Sequence, residues 1–510
     1  MTIRENNLHV TNTLTRRREK FEPLAPPHVG MYVCGPTVYG DAHLGHAKSY
    51  IAFDCIVRYL RYLGYDVTYV QNITDVGHLT DDADAGEDKV EKAARAKKVH
   101  PMQIAEQFTR RYFEDMDALN VLRPDISPRA SGHIIEQIEL VKRLLASGHA
   151  YEANGSVYFD VSSWPNYGRL SGRSPGAPGQ AGARVEVSAE KRHPADFALW
   201  KRAEPGHILQ WPSPWGMGYP GWHIECTVMG QKYLGETFDI HGGGIENVFP
   251  HHEDEIAQAE AATGKPFVRY WLHNNMVTVA GKKMGKSLGN FLTLRDAFAK
   301  WPPMVIRLFI LQSHYRSPTD FSEEALDAAQ EGYRRLAGTA AAVSKALLAA
   351  PAGDAAAAAA AMVADVRRRF AEAMDDDFGT AGAVAVLFDL AGGINTTISP
   401  GHATRGTLDC LKSTFEELSE GILGLKLRVS IPHPLESYSA GEGGQALERM
   451  FIRLVREWIN LREDARKAKN FAQADAIRER LEEIGIALED SPTGSTWRFT
   501  FKRQKPERRV

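Results

Sequence analysis

Short apolar runs alternate with an amphipathic stretch near the start of the chain. The run at residues 28–34 is short and apolar, which predicts a strand. The stretch from Ala47 to Leu63 has the periodicity of an amphipathic helix that Gly64 ends, and residues 67–70 predict a second strand. A strand, a helix and a strand in this order predict a parallel sheet, in which ligands bind at the carboxyl ends of the strands.

The rest of the chain predicts a split α/β domain followed by helices. Helical periodicity at 134–145, a strand-like segment at 156–160 and a Gly/Pro/Ser-rich stretch at 171–182 interrupt the alternation. It resumes at 237–240 and 271–273, and the chain becomes helical and Ala-rich after about residue 320. We therefore expect an α/β domain in two halves (1–122 and 206–320), an insertion (123–205), a helical region (321–428) and, after a loop, a small final domain (445–510).

The composition is typical of a folded multidomain protein from a reducing compartment. The chain has 510 residues, of which 43% are hydrophobic and 25% charged, so it can build several cores. Its four cysteines are too scattered for a disulfide framework, and any functional pair is expected to hold metal. We expect no signal peptide and no window that approaches a membrane span, because the longest candidate, residues 355–364, is too short.

The charge of the whole chain does not indicate nucleic acid, but its C-terminal part carries basic patches. The formal net charge is −3. Residues 451–480 hold eight Lys or Arg against five Asp or Glu, and residues 498–510 hold six against one. By themselves such patches are typical of a solvated helix face and a frayed tail.

Two loops have residues suited to binding a nucleoside triphosphate. His43-Leu44-Gly45-His46 stands between the first strand and the first helix, where free backbone N–H groups and the helix dipole favour phosphate. The loop from Gly281 to Ser287 places lysines on a glycine-containing segment that can close over a triphosphate. Taken alone, each loop is also typical of an ordinary surface turn.

Cysteine, histidine and glutamate at three separated places suggest a metal site. Cys34 ends the first strand, Cys226 lies in a Gly-Trp-His-Ile-Glu-Cys segment, and His251 starts a predicted helix. On that helix His251 and Glu255 face the same way, and His252 with Glu255 is also possible. Two thiolates, an imidazole and a carboxylate suit Zn²⁺. Each cysteine alone is more typical of a buried, small apolar residue.

The two loops, in this order on a parallel α/β domain, resemble the signature pair of class I aminoacyl-tRNA synthetases. Residues 43–46 match H-I-G-H with leucine for isoleucine, and residues 283–287 match K-M-S-K-S with Gly285 in place of serine. That glycine removes a hydroxyl and loosens the loop, but both lysines remain. The resemblance implies that the following residues contact the phosphates or the rest of ATP: His43, Gly45, His46, Gly243, Lys283 and Lys286.

Nearly the whole chain, from about residue 8 to about residue 500, resembles the cysteinyl-tRNA synthetases. Residues 31–39, 238–244 and 374–378 look like blocks of that family. The resemblance implies a Rossmann-like catalytic domain with an inserted connective subdomain, a helical bundle that contacts the tRNA stem, and an anticodon-binding domain. It also implies a zinc site at Cys34, Cys226, His251 and Glu255, and a cysteine pocket bordered by Thr74, Trp222 and His241.

The resemblance implies ATP-dependent activation of L-cysteine to cysteinyl-adenylate and its transfer to the 3′-terminal ribose of tRNA(Cys). Mg²⁺ would accompany ATP, and the expected state is a cytoplasmic monomer. Zinc would select cysteine against serine, because a thiol binds it as thiolate whereas a hydroxyl keeps its proton. Candidate contacts to the GCA anticodon, by stacking and edge hydrogen bonds, are Arg466, Lys469, Phe471, Trp497 and Arg498.

Other functions fit parts of the pattern. A cysteine-activating ligase of the mycothiol pathway resembles the same core and transfers cysteine to an amino-sugar, but such ligases lack an anticodon domain. A non-catalytic zinc- and RNA-binding paralogue would be expected to lose the phosphate-contacting residues, whereas both histidines and both lysines are present here. A methionine-type synthetase is disfavoured because the chain has no C-x-x-C pairs. We therefore expect the tRNA-charging enzyme.

Overall fold

A computed structural model describes residues 3–80, 86–173, 190–279, 281–283, 292–399, 402–427, 442–483, 486–491 and 494–499. The chain divides into two compact units, residues 1–428 and residues 429–510.

The described part of the first unit begins with an α/β region. Its elements in chain order are β1 (His9–Asn12), β2 (Arg17–Lys20), β3 (His28–Val33), α1 (Leu44–Tyr62), β4 (Asp66–Gln71), α2 (Lys89–Lys97), α3 (Pro101–Ala118), α4 (Ile134–Ala146), β5 (Ala150–Ala153), β6 (Ser156–Phe159), β7 (Phe197–Arg202), β8 (Trp211–Ser213), β9 (Gly216–Pro220), α5 (Trp222–Leu234), β10 (Phe238–Gly244), α6 (His251–Thr263), β11 (Val268–Asn274), β12 (Val277–Val279), β13 (Lys282–Lys283), α7 (Leu294–Phe298), α8 (Pro303–Leu311) and β14 (Thr319–Phe321). The helices that follow are α9 (Glu323–Ala349), α10 (Ala357–Asp375), α11 (Thr380–Ile398) and α12 (Arg405–Glu416).

A four-stranded parallel sheet lies in the α/β region, in the order β11-β10-β3-β4. All three neighbouring pairs are parallel, and Gly242 of β10 stands opposite Val33 of β3 and Leu272 of β11. Most residues of β3 and all of β10 are buried, which is why β3 is a nearly continuous apolar run. The parallel α/β domain predicted from the sequence is confirmed, and the carboxyl ends of β3, β10 and β11 lie side by side.

Helix α1 begins earlier than its hydrophobic pattern predicted. It starts at Leu44 rather than at Ala47, because His43 caps its first turn. The backbone N–H of Gly45 donates to Nδ1 of His43 at 3.1 Å, and the backbone N–H of His43 donates to Nδ1 of His46 at 3.2 Å. Polar capping residues have no apolar periodicity, so the pattern placed the helix start one turn late.

Strand β10 also extends beyond its predicted end at residue 240. Its glycines, Gly242 to Gly244, pair in register with β11, although glycine lowers the propensity for a strand. The reason is close packing, since a Cβ atom on Gly243 would lie 2.8 Å from Cε1 of His252. The glycines therefore let this strand end approach α6 closely.

A five-stranded antiparallel sheet, in the order β5-β6-β7-β9-β8, comes from the chain between α4 and α5. Its buried residues Phe159 and Trp200 belong to one apolar cluster with Ile224 of α5 and Ala257 of α6. The sheet thus packs on the two helices that carry the predicted metal ligands.

Helices α9 to α12 pack against one another as a bundle. By length and composition α11 is apolar enough to cross a membrane, so the expectation that no window approaches a membrane span was wrong for this segment. Its residues Ala383, Leu387 and Ile394 are buried in the core, and the helix packs against α9 and α10. The apolar composition of α11 is thus that of a core helix in a bundle.

The described part of the second unit consists of α13 (Glu442–Lys467), α14 (Phe471–Glu483), β15 (Ile486–Ser491) and β16 (Gly494–Phe499). The two strands form an antiparallel hairpin. Arg462 of α13 is buried and donates two hydrogen bonds of 2.7 Å to the carboxylate of Asp490 on the hairpin. This bidentate pair joins the helix to the hairpin.

A buried arginine joins α1 to the end of the helical bundle. Arg307 of α8 donates to the carbonyls of Leu423 at 2.8 Å and Leu119 at 2.9 Å, and its guanidinium also contacts the carboxylate of Asp54 on α1. Both charged side chains are fully buried. Removal of Arg307 would leave Asp54 in the core with only Arg58 as a cationic partner.

Replacement of Arg307 by methionine is expected to lower the free energy of unfolding of the first unit by about 3 kcal/mol, because a buried carboxylate and two carbonyls lose their partner. Urea denaturation of the full chain measures this loss. Arg334→Met is the control, since Arg334 pairs with Glu331 on the exposed surface of α9 and its loss should cost less than about 0.5 kcal/mol. Equal effects of the two substitutions would contradict the assigned role of Arg307.

Candidate metal centre and active site

Four side chains from three separated segments converge at the carboxyl edge of the parallel sheet. Cys34 follows β3 directly, Cys226 lies on α5, and His251 and Glu255 lie on the first turns of α6. One ligand atom from each lies within 4.8 Å of the others. The two sulfur atoms are 4.0 Å apart, and Nε2 of His251 is 3.1 Å from Oε1 of Glu255. The set predicted from the sequence is therefore brought together in space.

A second set of donors overlaps the first. Cys34, His241, His252 and Glu255 also lie within 4.8 Å of one another. Nε2 of His252 is 3.2 Å from the sulfur of Cys34, and Nε2 of His241 is 2.9 Å from Oε2 of Glu255. Cys34 and Glu255 are common to both sets, and the first set alone contains the second thiol, Cys226.

Two further histidines hold the imidazoles of α6 in place. Nδ1 of His251 is 2.9 Å from Nδ1 of His223, whose Nε2 lies 3.3 Å from the carboxylate of Asp254. Nδ1 of His252 is 2.8 Å from Nε2 of His273 at the end of β11. Such partners fix the tautomer and the orientation of a metal-binding imidazole. Sequence reasoning did not select His223 or His273, although histidine at a strand end or beside a predicted ligand was an available signal.

Burial opposes the charged forms of the side chains in this cluster. It raises the pKa of the Cys34 thiol to about 11 and that of the Cys226 thiol well above its usual range. Burial also raises the pKa of the Glu255 carboxyl and lowers the pKa of His241 to about 3. Burial thus favours the neutral forms of these groups, and a cation that replaced their protons would be bound by thiolates and a carboxylate.

The donor set fits Zn²⁺ better than a hard cation. Sulfur and imidazole nitrogen are ligands of zinc, whereas Mg²⁺ and Ca²⁺ prefer oxygen. Glu255, Cys226 and His251 are almost completely buried, so their polar atoms would otherwise lack solvent. A single bound cation would satisfy them together.

An aromatic wall stands beside this cluster. The ring of Trp222 stacks between those of His78 and His251, with centroids 3.9 and 4.3 Å away. Thr74 is buried and donates a short hydrogen bond to the carboxyl of Glu225. The three residues predicted to border the amino-acid pocket, Thr74, Trp222 and His241, therefore all lie close to the metal-ligand candidates or their chain neighbours.

The histidine loop and the segment that follows the lysine loop meet in space. His43 pairs with Thr293 in an antiparallel bridge, and the N–H of Leu294 donates to the carbonyl of Ala42 at 2.8 Å. The rings of His43 and His46 stack with centroids 3.9 Å apart. Residue 283 ends β13, which pairs with β12, while Gly285 and Lys286 lie outside the described residues.

A buried lysine connects the histidine helix with the base of the lysine loop. Lys48 lies on α1, two residues after His46, and its Nζ donates to Oγ1 of Thr319 at 2.8 Å and to the carbonyls of Ser317 and Met276. Thr319 is on β14, which pairs with β12. Burial lowers the pKa of Lys48 to about 8. Sequence reasoning did not select Lys48, because a lysine in an amphipathic helix is usually exposed.

The candidate anticodon contacts lie in the second unit. Arg466 is half exposed and pairs with Asp490 at 3.2 Å, and Phe471 is exposed at the start of α14. Lys469 has a left-handed backbone conformation between α13 and α14. Trp497 of β16 packs partly against the small apolar core, and the side chain of Arg498 lies outside the described residues.

Three family models match the chain. Residues 20–331 match the catalytic domain of class I (C) tRNA synthetases, residues 369–428 match the DALR domain, and residues 459–498 match the cysteinyl-tRNA ligase anticodon binding domain. The first match alone covers more than half of the chain.

Curated relatives match nearly the full length. A cysteine–tRNA ligase of Chlorobaculum tepidum is 52% identical over 497 residues, which cover 96% of this chain and 99% of the relative. A cysteine–tRNA ligase of Deinococcus radiodurans is 50% identical and covers 98% of each chain. Among solved structures, methionyl-tRNA synthetase of Mycobacterium tuberculosis in complex with methionyl-adenylate has a TM-score of 0.57 at 17% identity, and the match covers 78% of this chain and 92% of that one. This last likeness concerns the fold alone.

Lys48 gives the region between the two loops a characteristic pH dependence. Its pKa in the folded chain is about 8 against an ordinary value of 10.5, so between these values the unfolded chain binds the extra proton. The contribution of Lys48 to the free energy of unfolding therefore rises with pH between about pH 8 and pH 10.5. Relative to Lys48→Met, the free energy of unfolding of the wild type is expected to increase by about 1 kcal/mol per pH unit from pH 8 to pH 10.

Urea denaturation of both proteins over this pH range measures the difference, in which other titrating groups cancel. A constant difference between wild type and Lys48→Met, or one that falls with pH, would show that Lys48 does not titrate as a buried amine.

Proposed function

The chain belongs to the cysteine–tRNA ligase family of class I tRNA synthetases, and we propose that it activates L-cysteine with ATP and transfers it to tRNA(Cys) in the cytoplasm. The observation that carries this proposal is the convergence of Cys34 with the buried side chains of Cys226, His251 and Glu255 at the edge of the sheet. Those four side chains would hold a zinc ion. When bound, zinc prefers a thiolate sulfur to a hydroxyl oxygen, which distinguishes cysteine from serine.

The residues around the cluster would form a pocket that excludes water and accepts a small amino acid. Trp222 covers one side with its ring, and His223 holds His251 in one orientation. A shaped apolar pocket alone separates near-isosteres by only about 10- to 200-fold, so the chemistry of the donor set has to supply the rest. This selection needs no separate editing site.

In the proposed first step, the cysteine carboxylate attacks the α-phosphorus of Mg-ATP and pyrophosphate leaves. The capped start of α1 offers backbone N–H groups, a helix dipole and the imidazoles of His43 and His46 to the phosphates. Lys283 and Lys286 would stabilise the charge that grows on the leaving pyrophosphate, while Gly45 and Gly243 allow close approach of ATP. In the second step, the terminal ribose hydroxyl of tRNA displaces AMP.

The remaining regions are assigned to tRNA. We propose that the catalytic domain comprises residues 1–122 and 206–320, with 123–205 as the connective insertion, and that the bundle at 321–428 contacts the tRNA stem. The final domain, 445–510, would read the anticodon. Its candidate contacts include Lys469 and Trp497, and Arg466 would have to exchange its partner Asp490 for RNA. A monomer would suffice for this arrangement.

A cysteine ligase with a small amino-sugar acceptor is the alternative that shares the most chemistry. It is disfavoured by the match of residues 459–498 to an anticodon binding domain, which such an acceptor does not need. Both functions include formation of cysteinyl-adenylate, and they differ in the acceptor, which is tRNA in one case and an amino-sugar in the other.

The experiment that tests the function is ATP-dependent charging of labelled cysteine onto a tRNA transcript with a GCA anticodon, run beside cysteine-dependent pyrophosphate exchange. Serine in large excess serves as the competitor. We expect charging and exchange that serine does not inhibit. Exchange without charging would move the acceptor to a small amine, and the absence of both activities would overturn the proposed function.

Replacement of Cys226 by alanine is expected to abolish stoichiometric zinc binding and to reduce cysteine-dependent pyrophosphate exchange by at least about 100-fold, because a thiol ligand is lost. Zinc content is measured by mass spectrometry of the purified protein. Cys410→Ala is the matched control, since Cys410 lies on α12 and is not part of either donor set. Full zinc content in Cys226→Ala, or zinc loss in Cys410→Ala, would contradict the assignment.

A further inference from the structure

Among the described residues, one carboxyl oxygen beside the candidate metal centre has no hydrogen-bond partner. Glu225 is 1% exposed and lies on α5 directly before Cys226. Its Oε1 accepts the hydrogen bond from Oγ1 of Thr74, whereas its Oε2 is buried without any hydrogen-bond partner. A buried carboxyl oxygen without a donor is costly, so it is expected to face a group that the ligand supplies.

The position of Glu225 directs it to the amino-acid pocket. Trp222, Glu225 and Cys226 are separated by three and four positions on α5, so all three lie on one face of this helix. That face carries a pocket residue, the orphan carboxyl and a proposed zinc ligand. Glu225 therefore shares a helix face with Trp222 of the aromatic wall and with the candidate ligand Cys226.

A chain of hydrogen bonds fixes Glu225 relative to the segment after β3. The backbone N–H of Gly35, next to Cys34, donates to Oδ1 of Asn72 at 2.7 Å, and Nδ2 of Asn72 donates to Oγ1 of Thr74 at 3.1 Å. The backbone of Thr74 is bonded to Pro36 and Val38. Glu225 is therefore held by the same loop that positions Cys34, and its free oxygen has a defined direction.

The surroundings of Glu225 contain acidic side chains rather than basic ones. The side chains whose charges act most strongly on it are the carboxyls of Asp75, Glu255 and Asp88. In the described part of the chain, the carboxyl of Glu225 accepts a hydrogen bond from Thr74, and no lysine, arginine or histidine side chain pairs with it. A cationic partner for the carboxyl of Glu225 would therefore have to come from the bound ligand.

The α-ammonium group of cysteine is such a cation. If its sulfur lies at the metal centre and its carboxylate points to the phosphates of ATP, the third polar substituent of the α-carbon is the ammonium group. An ammonium group has three donors, and a buried carboxyl oxygen is a strong acceptor for one of them. The substrate sulfur would lie beside Cys226, and the orphan oxygen belongs to Glu225, the residue directly before it in the chain.

We propose that Oε2 of Glu225 accepts a hydrogen bond from the α-ammonium group of the bound cysteine. Glu225 is then a specificity-determining residue that separates an α-amino acid from other small thiols. This inference rests on the proposed function, because it takes cysteine as the substrate.

The test compares Glu225→Gln with the wild type in cysteine-dependent pyrophosphate exchange. Glutamine keeps an oxygen for Thr74 but places an NH₂ donor where the ammonium group would bind. The KM for cysteine is expected to rise by about 10- to 150-fold, the factor for a hydrogen bond to a charged group. The KM for ATP and the zinc content are expected to stay unchanged.

The compound 3-mercaptopropionate separates this role from a merely structural one, because it has the thiol and the carboxylate of cysteine but no amino group. As a competitive inhibitor it should bind Glu225→Gln and the wild type equally, within about a factor of two. Equal weakening of cysteine and of 3-mercaptopropionate by the substitution would overturn the proposal. An unchanged KM for cysteine would do the same.

Asp75→Asn is the matched control. Asp75 is equally buried and close to Glu225, but both of its oxygens are occupied by Ser131, through its N–H at 2.9 Å and its hydroxyl at 2.6 Å. The Asp75→Asn substitution should leave the ratio of the affinity for cysteine to the affinity for 3-mercaptopropionate at the wild-type value. A change of that ratio as large as in Glu225→Gln would contradict the specific role of Glu225.

The proposal is also testable without any variant. Wild-type protein should bind 3-mercaptopropionate at least about tenfold more weakly than cysteine, because Oε2 of Glu225 would remain unpaired in that complex. Equal affinities would overturn the proposal. If the wild type shows no cysteine-dependent exchange at all, the proposed function fails first, which distinguishes the two failures.

Discussion

The convergence of four polar donors, three of them buried, constrains much of the first unit. Cys34 lies 192 residues before Cys226 and 221 residues before Glu255, yet the ligand atoms of Cys34, Cys226, His251 and Glu255 lie within 4.8 Å of one another. Such groups are costly to remove from water unless they are paired. The parallel sheet brings these donors together, because β3 and β10 end side by side and the first turns of α5 and α6 lie at the same edge.

The features around this point follow from the same constraint. The glycines of β10 let the strand approach His252 closely, and the antiparallel sheet packs on the outer sides of α5 and α6. His223 and His273 take up the second nitrogens of the α6 imidazoles. The histidine loop lies at the end of the same strand that provides Cys34, so proposed sites for metal and for phosphate are adjacent. Lys48 and the pairing of His43 with Thr293 then link both loops to this edge.

Apolar periodicity predicted the parts of the fold that depend on burial of regular elements. It located β3, most of α1, β4 and α4, and their order predicted the parallel sheet. It failed where another interaction decides the structure. The start of α1 is determined by polar caps at His43 and His46, the end of β10 by close packing of glycines, and the apolar composition of α11 by a bundle core.

The four candidate metal ligands could be predicted from the sequence, but the residues that hold them in place could not. Residue types and helical spacing suggested Cys34, Cys226, His251 and Glu255, and the resemblance chose between His251 and His252. The partners of these residues left no comparable pattern. His273, Lys48 and Glu225 gain their meaning only from neighbours that the fold brings in from distant segments, such as Thr319 for Lys48 and Thr74 for Glu225. A single sequence does not contain those pairings in a readable form.

We propose that the cluster of Cys34, Cys226, His251 and Glu255 holds zinc and recognises the sulfur of the substrate. Zinc-edge X-ray absorption of the purified full-length chain measures both properties. We expect sulfur neighbours from two cysteines beside nitrogen or oxygen neighbours, one additional sulfur neighbour on addition of L-cysteine, and no change on addition of L-serine. A protein without bound zinc, or a spectrum that responds in the same way to both amino acids, would contradict it.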